Sequence, residues 1–137
     1  MHCMIFRNNV EPAFCVTFEA DITEFKKYVK TNNLSFTLAM VYAVCKCANQ
    51  IEAFRYRFVD GNDVFQCSPM PWVTYTHISH TNSGKKDNAT PLFDWGKYYE
   101  KDGKIMMPIS VQANHSFVDG IHIGEFVDLL EKYLVSF

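Results

Sequence analysis

The chain has 137 residues, the length of a single domain. Apolar residues make up 48%, enough for a core, whereas 20% charged residues and a net charge of -2 argue against a nucleic-acid partner. No apolar run reaches the ~20 residues of a membrane span, and the N-terminus lacks the charged-then-apolar pattern of a signal peptide. Five cysteines (Cys3, Cys15, Cys45, Cys47, Cys67) include no CxxC pair. Reduced, mostly buried thiols in a cytoplasmic protein are the expectation.

Residues 13–19 are rich in aromatic and β-branched types and predict a strand. Asp21 to Glu24 has the spacing of a capping box, with a short helix from Phe25 to Lys30 ending near Asn32 and Asn33. Ser35 is placed to cap a second helix, Phe36 to Asn49. Leu38, Val41, Tyr42 and Cys45 fall at helical spacing there, and Ala39, Ala43 and Ala48 allow close packing. Arg55 to Val59 and Val64 to Gln66 flank Asp60-Gly61-Asn62-Asp63 and predict a hairpin. Trp72 to Thr76 alternates and predicts another strand, and residues 81–90 a mobile polar loop. Lys101-Asp102-Gly103-Lys104 is a turn leading into a strand, Ile105 to Val111, and Ile121 to Leu134 is helical. About five strands and three helices make one α+β domain over residues 1–137, its mixed or antiparallel sheet covered by helices.

Between that last strand and helix lies Gln112-Ala113-Asn114-His115-Ser116-Phe117-Val118-Asp119-Gly120. An imidazole at such a corner is held by packing on both sides yet open to a ligand. Its ordinary pKa also suits general base work near neutrality. No metal is expected: His77, His80, His115 and His122 include no H-x3-H pair on a helix, and no cysteine pair supports zinc.

The run Lys97-Tyr98-Tyr99-x-x-Asp102-Gly103-Lys104-x-x-Met107-Pro108-Ile109-x-Val111-Gln112, followed by His115-x-x-x-Asp119-Gly120-x-His122, resembles the C-terminal part of the chloramphenicol acetyltransferase family. Asp21-Ile22-Thr23, Ala48-Asn49, Phe54 to Arg57 and Pro71-Trp72-Val73 resemble its earlier landmarks in order. The likeness runs from about His2 to Leu134.

The resemblance implies an acetyl-coenzyme A dependent acyltransferase fold and a homotrimer with active sites between subunits. It implies O-acetyl transfer to chloramphenicol or a related small alcohol, the chemistry of antibiotic resistance. His115 would act as general base and Asp119 would hold the loop. Lys97 and Tyr98 match positions against coenzyme A, and Ile5, Phe6 and Phe14 match the acceptor pocket. An ungapped alignment from Pro71-Trp72 puts His77 where the family has a serine that donates to the oxyanion.

Three departures accompany the likeness. Asn114 replaces the first histidine of the family motif. The arginine that pairs with the motif aspartate has no counterpart, and a long stretch is missing between Met70 and Pro71. The serine replaced by His77, the absent arginine and the missing stretch motivate an alternative, a non-catalytic relative that keeps the fold and, in one form, coenzyme A binding. The motif HxxxDG also occurs in dihydrolipoyl acyltransferases, but Asn114 and Ser116 replace the residues that flank the histidine there.

Overall fold

The computed structural model describes residues 12–58, 64–80 and 88–137. Strand β1 (Ala13–Asp21) runs into helix α1 (Thr23–Thr31) and then helix α2 (Phe36–Ala48). A 3-10 turn (Glu52–Arg55), β2 (Gln66–Met70), β3 (Leu92–Gly96), β4 (Tyr99–Lys101), β5 (Lys104–Asn114) and α3 (Gly120–Leu134) follow. The sheet order is β1-β5-β3-β2, with β4 also on β5. Only β2 and β3 run parallel, so the sheet is mixed and the expected α+β class holds.

The β4–β5 turn forms as expected. Asp102 (φ 51°) and Gly103 (φ 76°) both take left-handed backbone, the geometry of a two-residue hairpin whose twist matches its strands. Pro108 sits where the β3 and β4 ladders on β5 are interrupted, the least costly place for a missing N–H in a central strand.

The helices cover one sheet face. Phe93, Phe54 and Phe126 are fully buried, with centroids 5.1 to 5.9 Å apart. Each contributes roughly 1.5–3 kcal/mol by burial. The exposed Lys101–Glu19 pair joins strand to strand, and the helices are held to the sheet by apolar packing.

Several expectations are corrected. The Asp21 capping box does not form. Ile22 is the N-cap of α1, and Asp21 Oδ1 instead accepts from the Thr23 N–H at 3.0 Å and hydroxyl at 2.6 Å. Ser35 does cap α2, accepting from the Leu38 N–H at 3.4 Å. The inward face of α2 is Met40, Ala43, Val44, Cys47 and Ala48, while Leu38 and Tyr42 point outward.

No hairpin pairs residues 55–58 with 64–66. Arg57 bridges that gap with its guanidinium on the Val64 carbonyl at 2.7 Å, and β2 pairs with β3. Residues 72–76 are not a strand; Trp72 is 82% exposed. Residues 81–87 of the expected mobile loop lie outside the described residues. The thiols are less buried than expected: Cys47 is buried, and Cys15, Cys45 and Cys67 are half-buried.

The segment 73–80 lies on the face opposite the helices. Lys97 N–H donates to the Val73 carbonyl at 2.8 Å. A Cβ on Gly96 would stand 2.7 Å from that oxygen and 2.9 Å from the Tyr75 ring, so only glycine permits this approach. Among the described residues, no helix is long and apolar enough to cross a membrane.

Candidate active site

β5 ends in a tight corner built by Asn114. Its side-chain oxygen accepts the Ser116 N–H at 2.9 Å, and its carbonyl accepts from Phe117 and Val118. Its amide donates to the Asn88 carbonyl at 3.0 Å. A short amide side chain can fold back onto its own backbone in this way. The residue standing for the family's first histidine is therefore the hinge of the corner.

His115 follows, half-buried. Its N–H donates to the Pro12 carbonyl at 2.7 Å, and its ring lies 4.4 Å from that of Phe14, tilted by 36°. The contact follows from register: Phe14 pairs with Ala113 across β1 and β5, one residue short of Asn114. Phe14, matched to the acceptor pocket in sequence, is thus brought to His115. Ile5 and Phe6 lie outside the described residues.

Asp119 caps α3. Its carboxylate accepts from the Gly120 N–H at 2.7 Å and the N3 backbone, and His122 Nδ1 accepts the Asp119 N–H at 2.8 Å. This capping box satisfies donors that helix geometry leaves unpaired. It also makes His122 the Nε2–H tautomer, because Nδ1 must carry a lone pair to accept. The carboxylate is exposed and served by backbone, which supplies the partner that an arginine would otherwise provide.

Lys97 and Tyr98 link β3 to β4 and are exposed. The Tyr98 ring carries Lys26 Nζ at 4.3 Å and meets Phe36 at 6.0 Å. β3 and β4 meet β5 between Met106 and Ile109, so at about 3.3 Å per residue this link stands on the order of 20 Å from His115. His77 is exposed in the irregular segment.

One constellation escaped the sequence reading. His80 Nε2 meets Asp94 Oδ2 at 2.7 Å, and the Asp94 side chain is 0% exposed. Burial pushes the Asp94 carboxyl above its ordinary range, opposed by the charge of His80. An acid inside the apolar run Leu92-Phe93-Asp94-Trp95 is the signal that marks it. Burial also pushes the Cys47 thiol up to about 11 and the Cys67 thiol to about 12, which suits packing rather than nucleophilic work.

The family model described as chloramphenicol acetyltransferase matches residues 1–65 and 58–131. The two stretches meet at 58–65, upstream of the Met70–Pro71 junction. The Clostridium perfringens chloramphenicol acetyltransferase is 35% identical over 74 residues, 54% of this chain and 36% of that protein. The matched stretch thus spans about a third of that relative. Chloramphenicol acetyltransferase 2 of Haemophilus influenzae is 19% identical over 190 positions, 95% of this chain and 89% of that one. Since this chain has 137 residues, the excess positions are gaps in it.

A solved chloramphenicol acetyltransferase superposes with a TM-score of 0.90 at 23% identity, covering 97% of this chain and 91% of that one. The cubic core of the pyruvate dehydrogenase multienzyme complex superposes at 0.70 with 14% identity, covering 98% and 86%. These likenesses show the fold, that of the coenzyme A-dependent acyltransferases. With the family model matching most of its length, the chain belongs to the chloramphenicol acetyltransferase family.

Proposed function

We propose that the protein is an acetyl-coenzyme A dependent O-acetyltransferase acting on chloramphenicol or a related small alcohol. The observation that carries this reading is the His115 corner, where Asn114, Phe14 and the α3 cap fix an imidazole at the end of the central strand. His115 takes the proton of the acceptor hydroxyl as its oxygen attacks the thioester, and returns it to the departing thiol. Asp119 serves by holding the corner. Phe14, with Ile5 and Phe6, offers apolar surface to the acceptor.

Lys97 and Tyr98 suit the phosphate and adenine end of the co-substrate. No step calls for a metal. The working assembly is a homotrimer with its sites between subunits, in the cytoplasm, where thiols stay reduced. Family membership favours this enzyme over a non-catalytic relative.

The test is release of free coenzyme A thiol from acetyl-coenzyme A, with and without chloramphenicol, by the chain and its His115→Ala variant. Acceptor-dependent release that the substitution lowers by ~10²–10⁴-fold supports the reading. Equal release by both proteins overturns it.

A further inference from the structure

Two half-buried thiols meet across the seam between helix layer and sheet. Cys67 is the second residue of β2 and pairs in register with Phe93. Directly paired residues share a face, and Phe93 packs on Phe54 and Phe126. Cys67 therefore looks toward the helices and packs against the core. Phe54 follows the end of α2, so its contact with Phe93 at 5.9 Å draws the last turn of α2 over this part of the sheet. Cys45 is on that turn, and its thiol is within hydrogen-bonding reach of the Cys67 thiol.

The pairing is selective. Cys47 is buried and points to nearly the opposite side of α2, since two residues turn a helix by about 200°. Cys15 pairs with Gln112, on the other face of the sheet from Phe93. Cys3 lies outside the described residues. A disulfide needs Cα atoms about 4.4–6.8 Å apart. Both cysteines sit where backbone yields at low cost. Cys45 is in a terminal helical turn, and Cys67 is on a strand that, among the described residues, pairs with β3 alone.

We propose that Cys45 and Cys67 form an oxidation site, which a hydroperoxide closes into a reversible disulfide tying α2 to β2. With hydrogen peroxide, the Cys45 sulfur attacks one oxygen and the O–O bond breaks. The second oxygen leaves as water with the thiol proton, and Cys45 becomes a sulfenic acid. The Cys67 sulfur then attacks the Cys45 sulfur. The S–O bond breaks as the S–S bond forms, and the hydroxyl leaves as water with the Cys67 proton. Two electrons pass from the two sulfurs to one peroxide. Burial first, and then the neighbouring Cys45, push the Cys67 thiol up to about 12. Cys67 is therefore the second sulfur to react, and Cys45 the one that meets peroxide.

The bridge closes the segment 45–67. That segment carries Tyr56 and Phe58, whose rings meet Phe117 at 5.9 and 4.9 Å. Phe117 belongs to the His115 corner, so the tie steadies side chains that lean on that corner. In a reducing compartment such a disulfide is transient and redox-sensing, formed under oxidant and undone by a dithiol.

The experiment exposes the whole protein to hydrogen peroxide, blocks the remaining thiols with iodoacetamide and maps the peptides without reduction. The expected product is a linked Cys45–Cys67 peptide, two hydrogens lighter than its parts, within one chain on a non-reducing gel. Free thiols fall by two from the five of the chain. The melting temperature rises by about 5–10 °C and returns with dithiothreitol. Cys45→Ser and Cys67→Ser are each expected to lose the linked peptide and the rise, whereas Cys15→Ser keeps both. A bridge that pairs either residue with another cysteine, or that joins two chains, overturns the inference. So does a treated parent that carries sulfinic or sulfonic acid at Cys45 and no bridge, or that keeps all its thiols. The peptide map of the parent decides by itself, whether or not a variant folds.

Discussion

The Phe14 ring lies 4.4 Å from the His115 imidazole, so the edge strand β1 supplies a wall to the histidine carried by β5. The wall is apolar and set by nine consecutive β1–β5 pairs rather than by a loop. Phe14→Leu is expected to keep the fold and to raise KM for chloramphenicol by roughly 10-fold, the cost of one apolar contact of 1–3 kcal/mol. The check is steady-state kinetics with acceptor and acetyl-coenzyme A varied separately. An equal rise for both substrates contradicts the assignment.

Asp119→Ala removes the side-chain half of the α3 cap and is expected to cost about 1 kcal/mol in urea unfolding. Asp119→Asn retains an acceptor and is expected to lose only a few tenths. Similar losses in both variants would mean that charge, not the cap, matters.

Ser116 Oγ is buried, next to His115, with no hydrogen-bond partner among the described residues. Such a hydroxyl costs about 1–3 kcal/mol relative to a satisfied one. Ser116→Ala is therefore expected to raise thermal stability by about 1 kcal/mol, read from the melting temperature. A lower melting temperature would reveal a hidden partner.

Gly96→Ala drives a methyl group against the Val73 carbonyl, a backbone atom that cannot swing aside. The expected loss is about 1–3 kcal/mol, with faster amide exchange over 73–80 as the closing segment lifts. Unchanged exchange there would place the strain elsewhere.

The Thr23 hydroxyl and N–H hold the Asp21 carboxyl below its ordinary value, with Lys104 adding at 3.4 Å. A lowered carboxyl pKa stabilises the fold above the unfolded value of 3.8 and loses that contribution as pH falls through the folded value. Asp21→Asn is expected to flatten the acid limb of a stability–pH curve. The same limb in both proteins contradicts the assignment.

Legibility in the sequence followed how uniquely each pattern maps onto one geometry. β1, β5, the Asp102-Gly103 turn and the His115 corner combine a clear period with specific turn chemistry, and they form as expected. α2 formed, but its outward face was not legible. It is apolar nearly all round, so spacing alone does not separate Leu38 and Tyr42 from Met40 and Val44. β3 was missed because it is five residues long, carries an acid in its middle and is buried on both faces, which erases alternation. The alternation at 72–76 was real, yet its backbone bonds go to a strand end rather than a ladder. The His80–Asp94 pair depended on that hidden strand and that covering segment, so it emerged only in three dimensions.

β5 sorts its residues by parity. Met107, Ile109, Val111 and Ala113 face the helices, while Ser110, Gln112 and Asn114 face the opposite side and the corner. Odd positions are thus tied to the core, and Phe14, paired with Ala113, shares their side. Retuning the acceptor wall therefore draws on the same layer of side chains from which the fold is built.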